Sequence, residues 1–348
     1  MEVLEYEPLK NYTTMRVGGP ARYFIKAKSK QEIIDAYNFA KQKKLPIEII
    51  GDGSNIIFTD DGYGGVVVKN HIKGFDLNKD GYIKAYAGEQ WDRVVKSSVQ
   101  ANLSGIEALS WIPGTVGGAP VNNIGAYGQE IKDSIVEIET LDTISGKLVI
   151  LNNKQCEFSY RDSIFKSSKR HRYIIISTTL KLKKISSFKD YKPPIYKSLV
   201  QELSNLKVKN PTIQDIRRAV IGLRTSKLPD PAKIPNTGSF FKNPIISNKK
   251  YNLLLKKYPD MPAFIYSSTS KKLYAGWLLD KAGLKKYSHN GISPYQKQAL
   301  VLTNLKNSSY KDLETVFKHI QNKIHDTFDI KLEIEPEIIK WVFLKNHY

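Results

Sequence analysis

A single cysteine, Cys156, excludes an internal disulfide and any zinc site built from several thiolates. The histidines, His71, His171, His289, His319, His325 and His347, form no H-E-x-x-H pair, so no metal is expected. No uncharged run approaches membrane-spanning length, and the opening "MEVLEYEPLKNYTTM" carries acids and lysine where a secretory leader needs an apolar core. These absences lead to the expectation of a cytoplasmic protein, in a reducing compartment and without membrane contact.

Acidic residues are scarce beside basic ones: Asp plus Glu number 34 against 54 Lys plus Arg, a net charge of +20. Such an excess raises the prospect of a nucleic acid or another polyanion as partner. The lysines, however, are scattered in pairs such as "KQKK", "LKKY" and "SKKL" rather than gathered in one stripe with stacking aromatics. No nucleic-acid interface is therefore expected, while a smaller positive cleft for a phosphorylated ligand stays open. Hydrophobic residues at 41% and charged residues at 25% are those of a globular chain. A length of 348 residues is too great for one small core and points to two or three packed units.

The stretch "SKQEIIDAYNFAKQKK" opens polar and brings apolar Ile33, Ile34, Tyr37 and Phe39 together, which predicts an amphipathic helix. The strand "LPIEII", the loop "GDGSN" and the strands "IIFT" and "GGVVVK" follow. "YIKAYA", "SIVEIETLD", "KLVILN" and "YIIISTTLKL" then predict a sheet interrupted by the helix "QWDRVVKSSVQANL". Within it Val136 and Ile138 alternate with Glu137 and Glu139, as expected of a sheet with one wet face. A further layer begins near Pro211 with "PTIQDIRRAVIGLRTSK", which opens on proline and ends basic as a helix should. The helices "NKKYNLLLKKY" and "YAGWLLDKAGL", the strand "QALVLTN" and a helix capped by Ser309 and Asp312 come next. The closing "IKLEIEPEII" alternates Leu332 and Ile334 with Glu333, Glu335 and Glu337 and predicts a strand. Helices and strands mixed in this way give an α+β or α/β fold.

Several segments could carry chemistry. In "GDGSN", Gly51 and Gly53 flank Asp52 directly after an apolar strand, with Ser54 and Asn55 behind, so backbone N–H groups could approach a pyrophosphate. Ile56 stands where a dinucleotide fingerprint needs its third glycine, and taken alone an ordinary turn accounts for the loop better. "IPGTVGGAPVNNIGAYG" is harder to explain as a turn: five glycines and two prolines interrupt a core-like region, as they would beneath a large flat ligand. Arg161, in "FSYRDSIFK", could polarise an anion, although beside Asp162 a local ion pair is the default. Ser239, in "NTGSFFKNP", lacks a hydrolase elbow and a nearby histidine, which leaves a proton donor held against Phe240 and Phe241, or a capped turn. Glu335 and Glu337, taken singly, suit a half-exposed strand.

Jointly and in this order, "NYTTMRVGGPA", "GDGSNIIF", "IPGTVGGAPVNNIGAYGQE", "YRDSIFK", "KLPDP", "GSFFKNP", "AGWLLDKAGL" and "EPE" resemble the UDP-N-acetylenolpyruvoylglucosamine reductase family, in its longer branch, over almost the whole chain. The resemblance implies a two-part FAD-binding module of the vanillyl-alcohol-oxidase type followed by an α+β substrate-binding domain. Residues 1–70, joined by a C-terminal strand at about 330–348, would form the first part, residues 71–215 the second, and residues 216–329 the substrate domain. Non-covalent FAD would lie on Gly51, Asp52, Gly53, Ser54, Asn55, Pro113, Gly114, Gly117, Asn123, Gly125, Ala126 and Tyr127. The implied reaction is reduction of UDP-N-acetylglucosamine enolpyruvate to UDP-N-acetylmuramate, with NADPH as co-substrate and no metal, by a monomer. By the same resemblance Arg161 and a protonated Glu337 would stabilise the enol and Ser239 would protonate it, while Tyr160, Tyr196, Lys227 and Asn243 would hold the sugar nucleotide. The family's usual Gln is Asn122 here, and Ser159 stands where a glycine is common. An FAD oxidoreductase of the same scaffold acting on an alcohol with oxygen would not need Arg161, Ser239 and Glu337 together, and a non-catalytic polyanion binder would carry no flavin.

Overall fold

The computed structural model describes residues 1–341 and has the α+β architecture expected. Its first unit is a sheet in the spatial order Val3–Pro8, Pro20–Ala27, Tyr63–Asn70, Ile47–Ile50, antiparallel at the first pairing and parallel at the other two. Alternate residues serve opposite faces, as the pleat requires. Ile25, Val66 and Val68 join Ile33, Ala36 and Tyr37 of the helix Lys30–Gln42 in one core, whereas Phe24 and Val67 join Ile50, Phe58 and Ile339 in another. Ser29 starts that helix by accepting a hydrogen bond from the Glu32 N–H.

The second unit is an antiparallel sheet in the order Lys147–Asn152, Ile135–Asp142, Tyr173–Lys181, Tyr82–Tyr86, Phe75–Leu77. The expected alternation fails at one point. A register shift between Ile135 and Glu137 turns Val136 outward, 37% exposed, while Ile138 stays fully buried. The helix Trp91–Gln100 packs on this sheet together with Lys197–Asn205 and Ile213–Lys227. That last helix departs from the expected division at 216: its buried Ile216, Ala219, Val220 and Leu223 belong to the core of the second unit. Its start is set by Thr212, whose hydroxyl and N–H form a capping box with Asp215, rather than by Pro211 alone.

The third unit holds one sheet of Asn236–Ser239, Gln298–Asn304 and Ile292–Tyr295, and a second of Ile245–Ser247, Ser270–Leu273 and Ala263–Ile265. The long helix Tyr310–Phe328 carries the predicted capping box of Ser309 and Asp312. Its first N–H groups, from Tyr310 and Lys311, donate to the Asp60 carboxylate at 2.8 and 3.0 Å, which fastens the helix dipole to the first unit.

The returning end of the chain is not the continuous strand that its alternation suggests. Only Glu337–Ile339 is a strand, parallel to Ile56–Phe58, because Pro336 has no N–H to donate and the segment changes partners there. Before the proline, the Glu335 N–H donates to the Phe240 carbonyl at 2.9 Å and the Lys242 N–H to the Glu333 carbonyl at 2.9 Å. After it, the Glu337 N–H donates to the Asn55 carbonyl at 2.9 Å. One short stretch thus stitches the segment around Ser239 to the end of the "GDGSN" loop; the part of the expected strand beyond 341 lies outside the described residues.

Candidate active site

Two glycine loops face each other across the first and second units. The Ser54 hydroxyl donates to the Pro113 carbonyl at 3.2 Å, and Gln90 donates to the Asp52 carboxylate at 2.7 Å. At Gly114, φ is +117°, and an added Cβ would stand 2.7 Å from the Ser54 Oγ. A Cβ at Gly117 would press on Ala87 at 2.7 Å, and one at Gly51 would strike the Thr115 hydroxyl. Side chains are thus excluded where the loops meet, which leaves a cavity bordered by Gly51, Thr115, Gly117, Gly118, Asn70 and Glu337. Apolar Ile50, Phe165 and Ile175 and charged Glu48 and Arg170 add to that lining; the bare main chain of the two loops suits a pyrophosphate and a flat ring, so the glycine loops fit FAD.

Farther along the second loop, fully buried Asn123 donates to the Ser159 carbonyl at 2.9 Å and to Glu130 at 3.1 Å. Gly125 and Ala126 pair with Gln129 and Glu130 in a small hairpin. The Tyr127 ring meets Tyr196 edge-on at 5.6 Å, and Tyr196 in turn lies 6.1 Å from Phe264 of the third unit.

Arg161 does not pair with its neighbour Asp162. It occupies the left-handed region, φ +55°, in the turn closed by Ser159 and Asp162, a conformation that costs energy for a long side chain. From there its Nη2 donates to the Gly125 carbonyl at 2.8 Å, and its Nε lies 3.0 Å from a Glu335 carboxylate oxygen. That ion pair lacks hydrogen-bond alignment, so the buried Nε–H has no aligned acceptor among the described residues. Asn122 also donates to Glu335, at 3.0 Å, and the Lys166 ammonium reaches both Asn122, at 2.6 Å, and the Glu335 carbonyl, at 3.1 Å. Burial lowers the pKa of Lys166, with Lys242 adding to the effect.

Glu337 turns elsewhere. Its carboxylate lies 2.7 Å from Arg170 Nε, and burial, opposed by Arg170 and Lys166, raises its pKa. Ser239 ends its strand at a partly open edge. Gly238 before it has φ +70° and, were a Cβ added, nothing within 4 Å among the described residues, so a ligand can approach. Phe240 and Phe241 are fully buried in the core of the third unit, where Phe240 stacks on Phe317 at 5.5 Å; they anchor the strand rather than enclose the hydroxyl.

Tyr160 stands near Tyr266, and the Lys272 ammonium lies 4.4 Å from its ring centre. Burial raises the Tyr160 pKa and, with Arg161 nearby, lowers that of Lys272. Asn243 accepts from the Ala275 N–H at 2.9 Å. Lys227 stands exposed at the end of its helix. Sequence reasoning set aside Glu335 and missed Lys166, Arg170, Arg224 and Lys272. Arg224 donates to the Trp111 carbonyl at 3.0 Å, and burial lowers its pKa. Lys166 closes the stretch "YRDSIFK" without being singled out in it, and none of the motifs that carry the family resemblance contains Arg170, Arg224 or Lys272.

Residues 21–152 match the model of an FAD binding domain, and residues 230–339 that of the UDP-N-acetylenolpyruvoylglucosamine reductase C-terminal domain. The UDP-N-acetylenolpyruvoylglucosamine reductase of Ralstonia nicotianae is 38% identical over 340 residues, 95% of this chain and 98% of that protein. That of Escherichia coli K12 is 36% identical over 334 residues, 95% of each. The crystal structure of the Thermus caldophilus reductase, 23% identical, shares the fold with a TM-score of 0.67 over 98% of both chains. The chain therefore belongs to the UDP-N-acetylenolpyruvoylglucosamine reductase family, FAD-dependent oxidoreductases of peptidoglycan precursor synthesis.

Proposed function

We propose that the chain reduces UDP-N-acetylglucosamine enolpyruvate to UDP-N-acetylmuramate with NADPH as the electron source, and that Arg161, Ser239 and Glu337 carry the proton and charge management. When bound, FAD would supply the hydride-transfer chemistry that links the nicotinamide to the vinyl carbon. The chain would hold it through Gly51, Asp52, Gly53, Ser54, Asn55, Pro113, Gly114 and Gly117 on one stretch, and through Asn123, Gly125, Ala126 and Tyr127 on the other. What remains for the protein is the negative charge that the substrate gains at its carboxylate as the vinyl carbon is reduced.

The observation that carries this assignment is the buried, unaligned Nε–H of Arg161, fixed in a strained turn and reached from the Ser239 side by Glu335. An anionic acceptor completes it, and a substrate carboxylate is such an acceptor. Glu335, already engaged by Arg161 and Asn122, orients the guanidinium. Glu337, whose raised pKa favours the protonated form, is suited to donate a hydrogen bond to the developing enol. Each such contact contributes on the order of 3 kcal/mol in a dry site. Ser239 then delivers the proton to the α-carbon from the open side of Gly238. Tyr160, Tyr196, Lys227 and Asn243, with Lys272, hold the nucleotide and sugar.

The same reading has the chain act as a cytoplasmic monomer on small molecules, without nucleic acid. Among the described residues no helix is long and apolar enough to cross a membrane. Anaerobic titration of the purified holoprotein tests the reaction. NADPH should bleach the flavin, and the enolpyruvyl sugar nucleotide should restore its colour. Colourless protein, or colour restored only by oxygen, contradicts it.

A further inference from the structure

Two carboxyls and one guanidinium meet behind the glycine shelf. Arg170 Nε is 2.7 Å from Glu337 and its Nη2 is 3.1 Å from Glu48, so a single cation bridges the strand Ile47–Ile50 and the returning strand Glu337–Ile339. The Glu48 side chain is 8% exposed and that of Glu337 21%. The cluster separates the inner cavity at Gly51 and Gly117 from an outer pocket bordered by Tyr63, Ile339 and Lys340, because Glu48 and Arg170 line both.

The other groups that face it are few. His171 Nδ1 stands 3.9 Å from Glu48, the Tyr63 hydroxyl feels the Glu48 charge, Lys166 acts on Glu337 from the second unit, and Lys340 borders the outer pocket. Burial and Arg170 lower the pKa of His171, which works against a second cation there. Two largely buried carboxylates share this guanidinium, with Lys166 also acting on Glu337, so each carboxyl works against ionisation of the other and a proton on one relieves the repulsion.

We propose that Glu48 and Arg170 are positioning residues that set the protonation of Glu337: Arg170 draws its carboxyl toward the charged form, and the Glu48 carboxylate, competing for the same guanidinium, draws it back toward the protonated form. Its catalytic meaning rests on the reading of Glu337 as the acid that meets the substrate. Geometry and charge agree on the direction. Burial raises the pKa of Glu48, with the Glu337 charge adding and Arg170 opposing, so the two carboxyls repel each other across the shared cation.

Opposite substitutions must therefore act in opposite directions. Carbon-13 carboxyl spectra of the flavin-loaded protein, titrated with pH, read the Glu337 midpoint directly, its resonance being assigned by its loss in Glu337→Gln. In Arg170→Met the midpoint should rise by about one pH unit or more, and in Glu48→Gln it should fall by a comparable amount. Arg170→Lys should stay closer to the wild type. Midpoints that do not move, or that move the same way in both variants, overturn the inference. If Arg170→Met does not fold, Glu48→Gln decides: a fall supports the proposal, and no change or a rise overturns it. Flavin reoxidation by substrate in Glu337→Gln separates the two ideas. If it runs at the wild-type rate, the catalytic reading of Glu337 fails, while the midpoints still judge the charge coupling.

Discussion

The Nε of Arg161 stands 3.0 Å from a carboxylate oxygen of Glu335, joining a strained turn of the second unit to the returning end of the chain. The contact aims the guanidinium without satisfying it, because Nε lacks an aligned acceptor. Glu335→Gln should remove the charge that aims Arg161, leaving the Gly125 carbonyl and the Tyr160 ring beside it, and lower kcat/KM for the enolpyruvyl substrate by about tenfold to a hundredfold. Flavin reduction by NADPH should be nearly unchanged. Stopped-flow measurement of the two half-reactions checks it; equal loss in both assigns Glu335 to general folding instead.

The glycine shelf is tested by adding one methyl group. Gly114→Ala places a Cβ 2.7 Å from the Ser54 Oγ at φ +117°, a conformation costing about 1–3 kcal/mol for a residue with a side chain. The loop must shift, and FAD affinity should fall by about tenfold or more, read as flavin per protein after gel filtration. Retention of flavin at wild-type affinity would place the cofactor elsewhere.

These two sites differ in how far the sequence reveals them. A loop that needs left-handed backbone and close approach leaves a compositional trace, so the close-packed loop of Gly114 and Gly117 stands out by glycine spacing, whereas the loop of Gly51 taken alone reads as an ordinary turn. The partners of Arg161 are not legible, since Asp162 is adjacent in sequence and Glu335 is brought in only by tertiary folding. The "EPE" motif marks both glutamates but does not tell which cation each meets: Arg161 takes Glu335, and Arg170 takes Glu337. Periodicity found most of the helices and the long strands of the second sheet, but passed over the helix Lys197–Asn205 and the strands Val3–Pro8 and Pro20–Ala27. It failed where one residue breaks the period, at the register shift beside Val136 and at Pro336, and it could not say which core Ile213–Lys227 joins, because helical spacing names a buried face, not its partner; the division at 216 implied by the resemblance put most of that helix with the third unit. The strands Ala263–Ile265 and Ser270–Leu273, which bring Phe264 and Lys272 to the site, are too short to show alternation.

A stability prediction follows from the interface that carries the misassigned helix. Arg217 grips the Asp92 carboxylate through two hydrogen bonds of 2.7 Å, and the Trp111 N–H adds another at 2.6 Å. Burial works against ionisation of Asp92, but these bonds prevail and lower its pKa below the usual 3.8. The folded state therefore binds this proton less readily than the unfolded chain. The contribution is fully present above about pH 4–5 and is lost as pH falls through the folded pKa. Asp92→Asn should cost about 2 kcal/mol near neutral pH, and the difference from wild type should shrink in acid. Urea unfolding across that range measures it, and a difference that does not change with pH would rule out ionic stabilisation.

Ser239 is the hinge of the proposed chemistry, because a proton donor matters only after the vinyl carbon has received its hydride. The most direct measurement is the pair of anaerobic half-reactions in Ser239→Ala, followed by flavin absorbance. Reduction by NADPH should proceed nearly as in the wild type, whereas reoxidation by the enolpyruvyl substrate should slow by about a thousandfold. Reoxidation at the wild-type rate, or both steps impaired alike, would contradict the role given to this hydroxyl.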